Sequence, residues 1–515
     1  MSESVVPAEE QVERDPRRWW ALVALSLAVL LVAVDNTILA LAIPSLSESL
    51  SPTPTELLWI GDIYSFVLAG LLVTMGNVGD RVGRKKLLMI GLVGFAVVSV
   101  IAAFAPTAEA LIASRALLGV AGATLMPSTL SLIRNTFLDA RERTRAIAVW
   151  SAVAAAGGGL GPLIGGVLLE HFWWGSVFLV NVPIVLVIIG IGSWALRESK
   201  NPNPGPIDIP SVILSMVAVL GTIAGIKDIA IHGFSDPYPF AYLAIGLIAG
   251  YLFVRRQLHL ESPLIDMALF KVPAFSGAVG ADLVSVFGLM GVYFFLAQQF
   301  QLVQGESPLQ SGFQLLPAEV AALVGAFVAA RVIRNLGRRA AVVGGIALGA
   351  IGLLGLGVIH LEGNLLVIMA MVCVGLGFGC SLTATADAIL AAAPPERAGA
   401  AGAVSETAYE LGAALGIAIL GSILGAWYRH VIVIPAGLPA DASAAVEESL
   451  STTVEAVRSA PAAVVEPMLE ASKIAFTDAL SVTCLVAGVI CAIAAYIALR
   501  VLPTKENEVE PVGDH

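Results

Sequence analysis

Long apolar runs alternate with short polar segments along nearly the whole sequence. A helix needs roughly 20 apolar residues to cross about 30 Å of hydrocarbon, and runs of this kind recur from Trp19 to Val501. Charged residues, Pro and Gly mark their ends, and the pattern predicts an all-α membrane protein with fourteen spans. The predicted spans are residues 19–43, 57–75, 87–105, 108–132, 145–169, 174–196, 209–229, 239–254, 273–301, 311–330, 340–359, 365–392, 400–426 and 477–500.

Composition supports lipid as the solvent for most of this chain. The sequence is 57% hydrophobic and only 13% charged, with a mean hydropathy of +0.88, more apolar surface than a soluble core can hide. The net charge of -11 argues against nucleic acid as a partner. The four cysteines lie within apolar runs, without the spacing of a metal site or a disulfide framework, and we interpret them as packing residues.

The basic residues predict how the chain is oriented. The first 18 residues carry charges of both signs, and no cleavage site follows the first apolar run, so we expect the amino terminus to stay in the cytoplasm. Fourteen spans then place both termini inside, in a multi-pass protein of the cytoplasmic (inner) membrane. Nearly all Lys and Arg fall on that side; the exceptions are Arg429, Arg458 and Lys473 outside, and Arg115 and Lys227 within spans. All eight Trp lie near span ends, as an interfacial belt requires.

A weak internal repeat predicts how the spans are grouped. Residues 82–85 (Val-Gly-Arg-Lys) after the second span are echoed by residues 336–339 (Leu-Gly-Arg-Arg) after the tenth, and repeated halves are common in transporters. We therefore expect two six-helix halves with an inserted pair, a 6+2+6 arrangement. The predicted parts are a tail (1–18), a first half (19–200), the inserted pair (201–258), a second half (259–502) and a tail (503–515). Within the second half, an external loop (428–476) is expected to fold as a helical hairpin of residues 442–459 and 462–475, or to be disordered.

Ionisable residues within spans cost roughly 2.5 to 3.5 kcal/mol each on insertion scales, and are functional candidates for that reason. Asp35 and Asp62 both lie about 10 to 14 Å below the outer surface by helix rise. Two carboxylates at one depth could disfavour each other's ionisation and bind either protons or a cation. Hydrogen bonding between helices is the structural alternative for each.

The second half is acidic as well. Glu319 is expected near mid-membrane in the tenth span, and Glu406 and Glu410 lie one helical turn apart in the thirteenth. Asp282 and Asp387 are weaker candidates, because a wet vestibule or a local hydrogen bond would satisfy them. Only Arg115 opposes these acids at depth, which predicts a net negative interior that favours cationic cargo. No His falls deep in a span, so carboxylates must carry any protons.

Four motifs resemble those of the major facilitator superfamily, in its 14-span drug/proton antiporter branch. Residues 76–86 look like the superfamily's cytoplasmic signature, residues 111–119 like its fourth-span motif, and residues 157–166 like the antiporter motif of the fifth span. Residues 35–44, with residues 59–64 of the second span, are similar to the segments that distinguish the branch, and the likeness covers essentially the whole chain. It implies the major facilitator fold and an exporter of quaternary-ammonium compounds, dyes or fluoroquinolones.

The resemblance also implies roles for particular residues. The cytoplasmic signature implies a gate in which the Asp and Arg make charge-dipole contacts between helices; its residues here are Gly76, Asp80, Arg81, Gly83 and Arg84. The antiporter motif implies close helix packing and bending at Gly157, Gly161, Pro162, Gly165 and Gly166. Arg115 is associated with proton transfer. Asp35, Asp62 and Glu406 match carboxylates tied to cation recognition or coupling, with Glu319 one turn from a further acidic position that is Ala322 here.

These observations predict a proton-coupled multidrug antiporter that exports lipophilic cations such as quaternary ammonium compounds, ethidium and acriflavine, and also fluoroquinolones. The expected partners are these small molecules, protons and the lipid bilayer, and a monomer is expected. An apolar and aromatic cavity surface is predicted at Met126, Phe287, Met290, Tyr293 and Phe294, with ordinary packing as the alternative for each. No phosphate loop, cofactor motif or enzyme active site is recognisable, so protons should drive transport. The alternatives are export of an endogenous amphiphile, such as a lipid or peptide, and a non-transporting sensor or scaffold.

Overall fold

A computed structural model describes residues 16–504, apart from 51, 53, 201–207, 233–236, 261–262, 307, 360–364, 395–396, 435–442, 444–445, 448 and 457–461. The first and last long helices place Arg18 and Val501 at the same end of the bundle, which is called the terminal face below. The opposite end is called the distal face. The sequence predicts that the terminal face is cytoplasmic.

Sixteen α-helices are described in this part of the chain. They are α1 (Arg18–Leu50), α2 (Pro54–Val82), α3 (Arg84–Ala103), α4 (Ala108–Thr136), α5 (Ala140–His171), α6 (Ser176–Leu179), α7 (Asn181–Ala195), α8 (Ile209–His232), α9 (Tyr238–Gln257), α10 (Pro273–Gln298), α11 (Pro308–Leu336), α12 (Arg338–Val358), α13 (Leu365–Ala392), α14 (Ala398–Val431), α15 (Leu450–Ala456) and α16 (Ala462–Val501). A 3₁₀ turn at Leu269–Lys271 precedes α10, and a π-helical turn at Gln299–Val303 ends it.

Among the described residues, fourteen segments are long and apolar enough to cross a membrane, which confirms the predicted number of spans. Helices α6 and α7 together form the sixth span, Ser176–Ala195. The seventh and eighth spans are the inserted pair, α8 and α9. Several helices extend beyond the hydrocarbon thickness, because polar ends with good helix propensity continue the apolar runs.

Two large hydrophobic cores lie among the described residues. One is built mainly from α1 to α7, with some residues of α10, α13 and α14, and the other mainly from α10 to α16. Helices α8 and α9 pack closely, since a Cβ on Gly225 would lie 2.6 Å from the backbone nitrogen of Leu243. At the terminal face, Arg256 of α9 donates two hydrogen bonds to Asp208, 2.6 and 2.8 Å long. The pair of helices is thereby held together, and α8 lies against α2 and α14.

Asp208 lies outside the spans, directly before α8, and its surroundings change its pKa. Its carboxylate accepts hydrogen bonds from Arg256 and from Ser211. These bonds, with the Arg256 hydrogen bonds contributing most, hold the pKa of Asp208 well below its ordinary value.

The external loop contains two packed helical arms, as the sequence predicts, but their bounds differ from the prediction. Its second predicted arm is continuous with the last span in the single helix Ala462–Val501, which contains Pro467 near its start. No glycine or turn sequence separates residue 475 from the apolar run, so the helix does not end there. The first arm contains the helix Leu450–Ala456, and the hydroxyls of Thr453 and Ser472 hydrogen-bond across the two arms at 2.9 Å.

Two of the eight tryptophans are packed inside the protein. Trp150 and Trp174 are only 6% and 7% exposed, whereas the position of the tryptophans relative to the lipid interface stays a prediction. Trp150 donates its indole N–H to Thr129 Oγ1 at 3.2 Å. A buried partner for the indole makes burial favourable inside the first half.

Candidate functional site

Asp35 of α1 and Arg115 of α4 form a fully buried ion pair. Arg115 Nη1 lies 2.9 Å from Asp35 Oδ2, and both residues are 0% exposed. The second carboxylate oxygen, Oδ1, accepts a hydrogen bond of 2.8 Å from the side-chain amide of Asn181 in α7. Three helices of the first half therefore meet at one carboxylate.

The guanidinium of Arg115 has two further neighbours, both from α2. Its Nε donates to the backbone carbonyl of Ile60 at 3.3 Å, and its Cζ lies 4.6 Å from the ring centroid of Tyr64. An aromatic face attracts a desolvated cation. The phenol oxygen of Tyr64 is buried without a hydrogen-bond partner among the described residues.

This ion pair changes the picture of the outer carboxylates. The side chain of Asp62 lies outside the described residues, so the pairing of Asp35 with Asp62 stays a prediction. Among the described residues, the charged group that lies against Asp35 is the cation Arg115. An ionised Asp35 is stabilised in this arrangement, and a proton or a bound cation would have to compete with Arg115 for it.

A second cluster lies in the other half, around Tyr409 of α14. Tyr409 is within electrostatic range of Glu406 and Glu410 on its own helix, and of Glu319 on α11 and Asp282 on α10. Glu406 is 6% exposed, and Glu319 is partly buried. The predicted acids of the second half are thus brought together from three helices.

The buried carboxylates differ in whether an arginine compensates their charge. In the described part of the chain, Asp35, Asp80 and Asp387 each form an ion pair with an arginine. No ion pair is found there for the remaining deep acids, which are Asp282, Glu319 and Glu406. The predicted excess of negative charge is therefore concentrated in the second half, because Arg115 is committed to Asp35.

The two clusters approach one another at Tyr64. Glu410 of α14 lies within electrostatic range of Tyr64, the residue whose ring covers Arg115.

The five predicted cavity residues have different surroundings. Phe287 is 5% exposed in the core of the second half, and Met290 and Tyr293 pack against that core. Met126 packs against the core of the first half. Tyr293 is within electrostatic range of Glu319, whereas Phe294 is 48% exposed. Of the five predicted cavity residues, Tyr293 is therefore the one that lies near the acidic cluster.

The predicted gate residues join the halves at the terminal face. Asp80 forms an ion pair of 2.7 Å with Arg84 and accepts hydrogen bonds from the backbone N–H groups of Gly399 and Ala400. These N–H groups belong to the first turn of α14, where the helix dipole favours a negative charge. A Cβ on Gly76 would lie 2.6 Å from the carbonyl oxygen of Gly399, so the contact requires glycine there.

The other two gate residues shape the turn itself. Gly83 has φ +116°, a conformation that favours glycine, and Glu198 accepts hydrogen bonds from the N–H groups of Lys85 and Lys86 at the start of α3. Arg81 donates to the side chain of Asn77 at 2.7 Å.

A second joint, related to the first by the internal repeat, lies at the same face. Gly337 also has a positive φ, +91°, and Arg338 donates to the fully buried Asp387 at 2.7 Å. Asp387 also accepts a hydrogen bond of 3.1 Å from Thr144 of α5, in the opposite half. In the first joint the Asp belongs to α2, the helix directly before the turn, whereas in the second it comes from α13, which does not border the turn.

The glycines of the antiporter motif divide into two groups. A Cβ on Gly157 would lie 2.6 Å from Ala33 of α1, and one on Gly161 would lie 1.9 Å from Thr37 Oγ1. Gly166 has nothing within 4 Å of such a Cβ, and the side chain of Pro162 lies outside the described residues. Two of the motif's glycines thus permit the close approach of α5 to α1.

Sequence reasoning missed the neutral partners of these acids. Asn181, Thr385 and Ser405 bind buried carboxylates, but polar uncharged residues are common in membrane helices. The position of Asn181 within an apolar span was the clearest available signal. No group of three or more His, Cys, Asp or Glu able to hold a metal occurs in the described ranges.

Comparison with known proteins identifies the family. The chain is 45% identical over 484 residues to the multidrug efflux pump LfrA of Mycolicibacterium smegmatis. The aligned region covers 93% of this chain and 95% of that protein. The chain is 39% identical to the methyl viologen resistance protein SmvA of Salmonella typhimurium, over 92% of this chain and 96% of that protein. Its fold is similar to that of the human organic anion transporter MFSD10 (TETRAN), with a TM-score of 0.62, 15% identity and coverage of 93% and 100%. The sequence model of the Major Facilitator Superfamily matches residues 25–417, and the chain belongs to that superfamily.

Proposed function

We propose that this protein is a proton-coupled multidrug efflux antiporter that exports lipophilic organic cations from the cytoplasm. The proposed substrates are quaternary ammonium compounds, ethidium and acriflavine, with fluoroquinolones as a further class. The observation that carries the proposal is the cluster of Asp282, Glu319 and Glu406, for which no compensating cation is found in the described part of the chain. Buried acids without a cation attract either protons or a cationic solute.

The named relatives support the same substrate class. LfrA is a multidrug efflux pump, and SmvA confers resistance to methyl viologen, itself an aromatic organic cation. The aromatic Tyr293 and Tyr409 beside the acids add surface on which a planar cation can stack.

Transport requires the terminal-face joints to open and close. In the proposed orientation this face is cytoplasmic, so the Asp80 and Asp387 contacts must break before a cation can enter from the cytoplasm. The cation then lies beside ionised carboxylates, and after outward opening external protons neutralise those groups and release it. A ligand shifts such an equilibrium only by its different affinity for the two conformations.

Coupling to protons supplies the free energy. Moving a monovalent cation out against an inside-negative potential costs about 2.3 kcal/mol per 100 mV. Competition of proton and cation for the same carboxylates makes release of one depend on binding of the other.

The test is ethidium-driven proton release from the purified protein in proteoliposomes. Asp35→Asn and Asp62→Asn are expected to abolish it, and Glu406→Gln to reduce it strongly. Glu170→Gln is the matched control, because Glu170 lies exposed at the distal end of α5. Full coupling in both aspartate variants would show that the proposed mechanism is wrong.

A further inference from the structure

Asp282 of α10 is a deeply buried acid that ties three helices together. It is 4% exposed. Its Oδ1 accepts a hydrogen bond of 2.7 Å from Thr385 of α13, and its Oδ2 accepts one of 3.3 Å from Ser405 of α14. The site is therefore built by side chains from α10, α13 and α14.

The groups that face Asp282 carry no positive charge. Thr385 faces it from α13, and Ser405, Glu406 and Tyr409 face it from α14. The other long helices packed on α10 contribute no charged group that interacts with Asp282 in the described part of the chain. Two neutral hydroxyls alone must stabilise an ionised Asp282, whereas the other buried aspartates have an arginine.

The hydroxyl of Thr385 can serve either protonation state. Its Oγ1 lies 2.7 Å from Asp282 and 3.0 Å from the carbonyl oxygen of Leu382 on its own helix, but it has one hydrogen to donate. If Asp282 is ionised, Thr385 donates to it. If Asp282 is protonated, its O–H donates to Thr385 Oγ1, and Thr385 donates to Leu382. Neither state leaves a buried polar atom of this set unsatisfied, so both are accessible.

The charge of Asp282 depends on whether a cation is bound beside Glu406. Glu406 follows Ser405 directly and lies within electrostatic range of Asp282. Because Ser405 binds Asp282 and Glu406 is the next residue, the two carboxyl groups are neighbours, and like charges repel strongly where water is excluded. A cation bound at Glu406 offsets its negative charge and so favours ionisation of Asp282.

We propose that Asp282 is a proton-binding residue of the transport cycle, coupled to Glu406 through direct electrostatic interaction. This rests on the proposed proton antiport. When an organic cation binds beside Glu406, the O–H bond of protonated Asp282 breaks, its proton passes to water, and Thr385 turns from Leu382 to the new carboxylate. When the cation leaves, a proton from water restores the O–H bond and Thr385 returns to Leu382.

The test measures protons released when ethidium binds to the full-length protein in detergent, using a pH indicator in weak buffer over a range of pH. Wild type is expected to release protons on binding. Asp282→Asn keeps the shape and hydrogen-bonding capacity of the site, and is expected to bind ethidium while releasing fewer protons per bound ethidium. An unchanged proton yield and pH profile in Asp282→Asn would overturn the proposal.

A second measurement covers the case in which Asp282→Asn does not fold. Infrared difference spectra of wild type and Thr385→Val are recorded with and without ethidium. The carboxyl C=O band that ethidium removes in wild type is expected to shift in frequency in Thr385→Val, because its hydrogen-bond acceptor is lost. An identical band in both proteins would overturn the proposal. Absence of any proton release by wild type would instead count against the proposed antiport itself.

Discussion

Replacement of Arg115 by Met is predicted to destabilise the protein in a strongly pH-dependent way. Asp35 would then keep only its hydrogen bond from Asn181, in a site with 0% exposure. Breaking a buried ion pair from one side costs about 3 to 5 kcal/mol. Protonation limits this cost, because protonating a carboxyl of ordinary pKa about 3.9 costs about 4 kcal/mol at pH 7 and about 1.5 kcal/mol at pH 5.

The loss of unfolding free energy in Arg115→Met should therefore be about 3 to 4 kcal/mol at pH 7 and fall to about 1 to 2 kcal/mol at pH 5. Asp35→Asn should show no such relief in acid, since the arginine that it leaves buried stays charged at both values. The assay is unfolding in mixed micelles with increasing dodecyl sulfate, followed by tryptophan fluorescence. The double variant Asp35→Asn/Arg115→Met should recover much of the loss, as a coupled pair requires. A cost for Arg115→Met below about 1 kcal/mol, or one that is equal at both pH values, would refute the reasoning.

Three other predictions concern packing, the second joint and the inserted pair. Gly161→Ala should lower stability by about 1 to 3 kcal/mol, because the new Cβ meets Thr37, whereas Gly166→Ala in open space should be nearly neutral in the same dodecyl sulfate unfolding assay. Arg338→Gln should open the terminal face more often, raising the labelling rate of a cysteine placed at Thr144; an unchanged rate would argue against a gating role. Asp208→Asn should cost less than about 1 kcal/mol at neutral pH. Because binding to Arg256 lowers the pKa of Asp208, its stabilisation is present above the unfolded pKa and lost as pH falls through the folded one, so the difference from wild type should vanish in strong acid.

The sequence predicts the number of spans well, because the cost of exposing polar backbone in lipid leaves few alternatives to a helix. The repeated segments 82–85 and 336–339 also mark two similar turns, since Gly83 and Gly337 both adopt a positive φ. The sequence-based prediction fails where polar and apolar helices join without a break, as at residues 475–477. The residues on both sides favour helix, so the helix continues although the sequence changes from polar to apolar.

The site is predicted only in part. The deep acids are visible in the sequence because charge is rare in a span, but which of them is neutralised depends on helix packing. Asp35 and Arg115 are far apart in the sequence, and only the contact of α1 with α4 brings them together. The partners Asn181 and Thr385 have no charge to mark them. Asp387 is a weaker candidate in the sequence because hydrogen bonds could satisfy it, and the structure shows such partners in Arg338 and Thr144.

The central claim is that an inward-directed proton gradient drives export of an organic cation. It is tested most directly with the wild-type protein in proteoliposomes, by measuring accumulation of a radiolabelled lipophilic cation when the lumen is made acidic relative to the medium. For the population of molecules whose terminal face points outward, uptake is predicted to require the pH gradient and to collapse when nigericin dissipates it. Uptake of equal size without a gradient, or none with one, would contradict proton antiport.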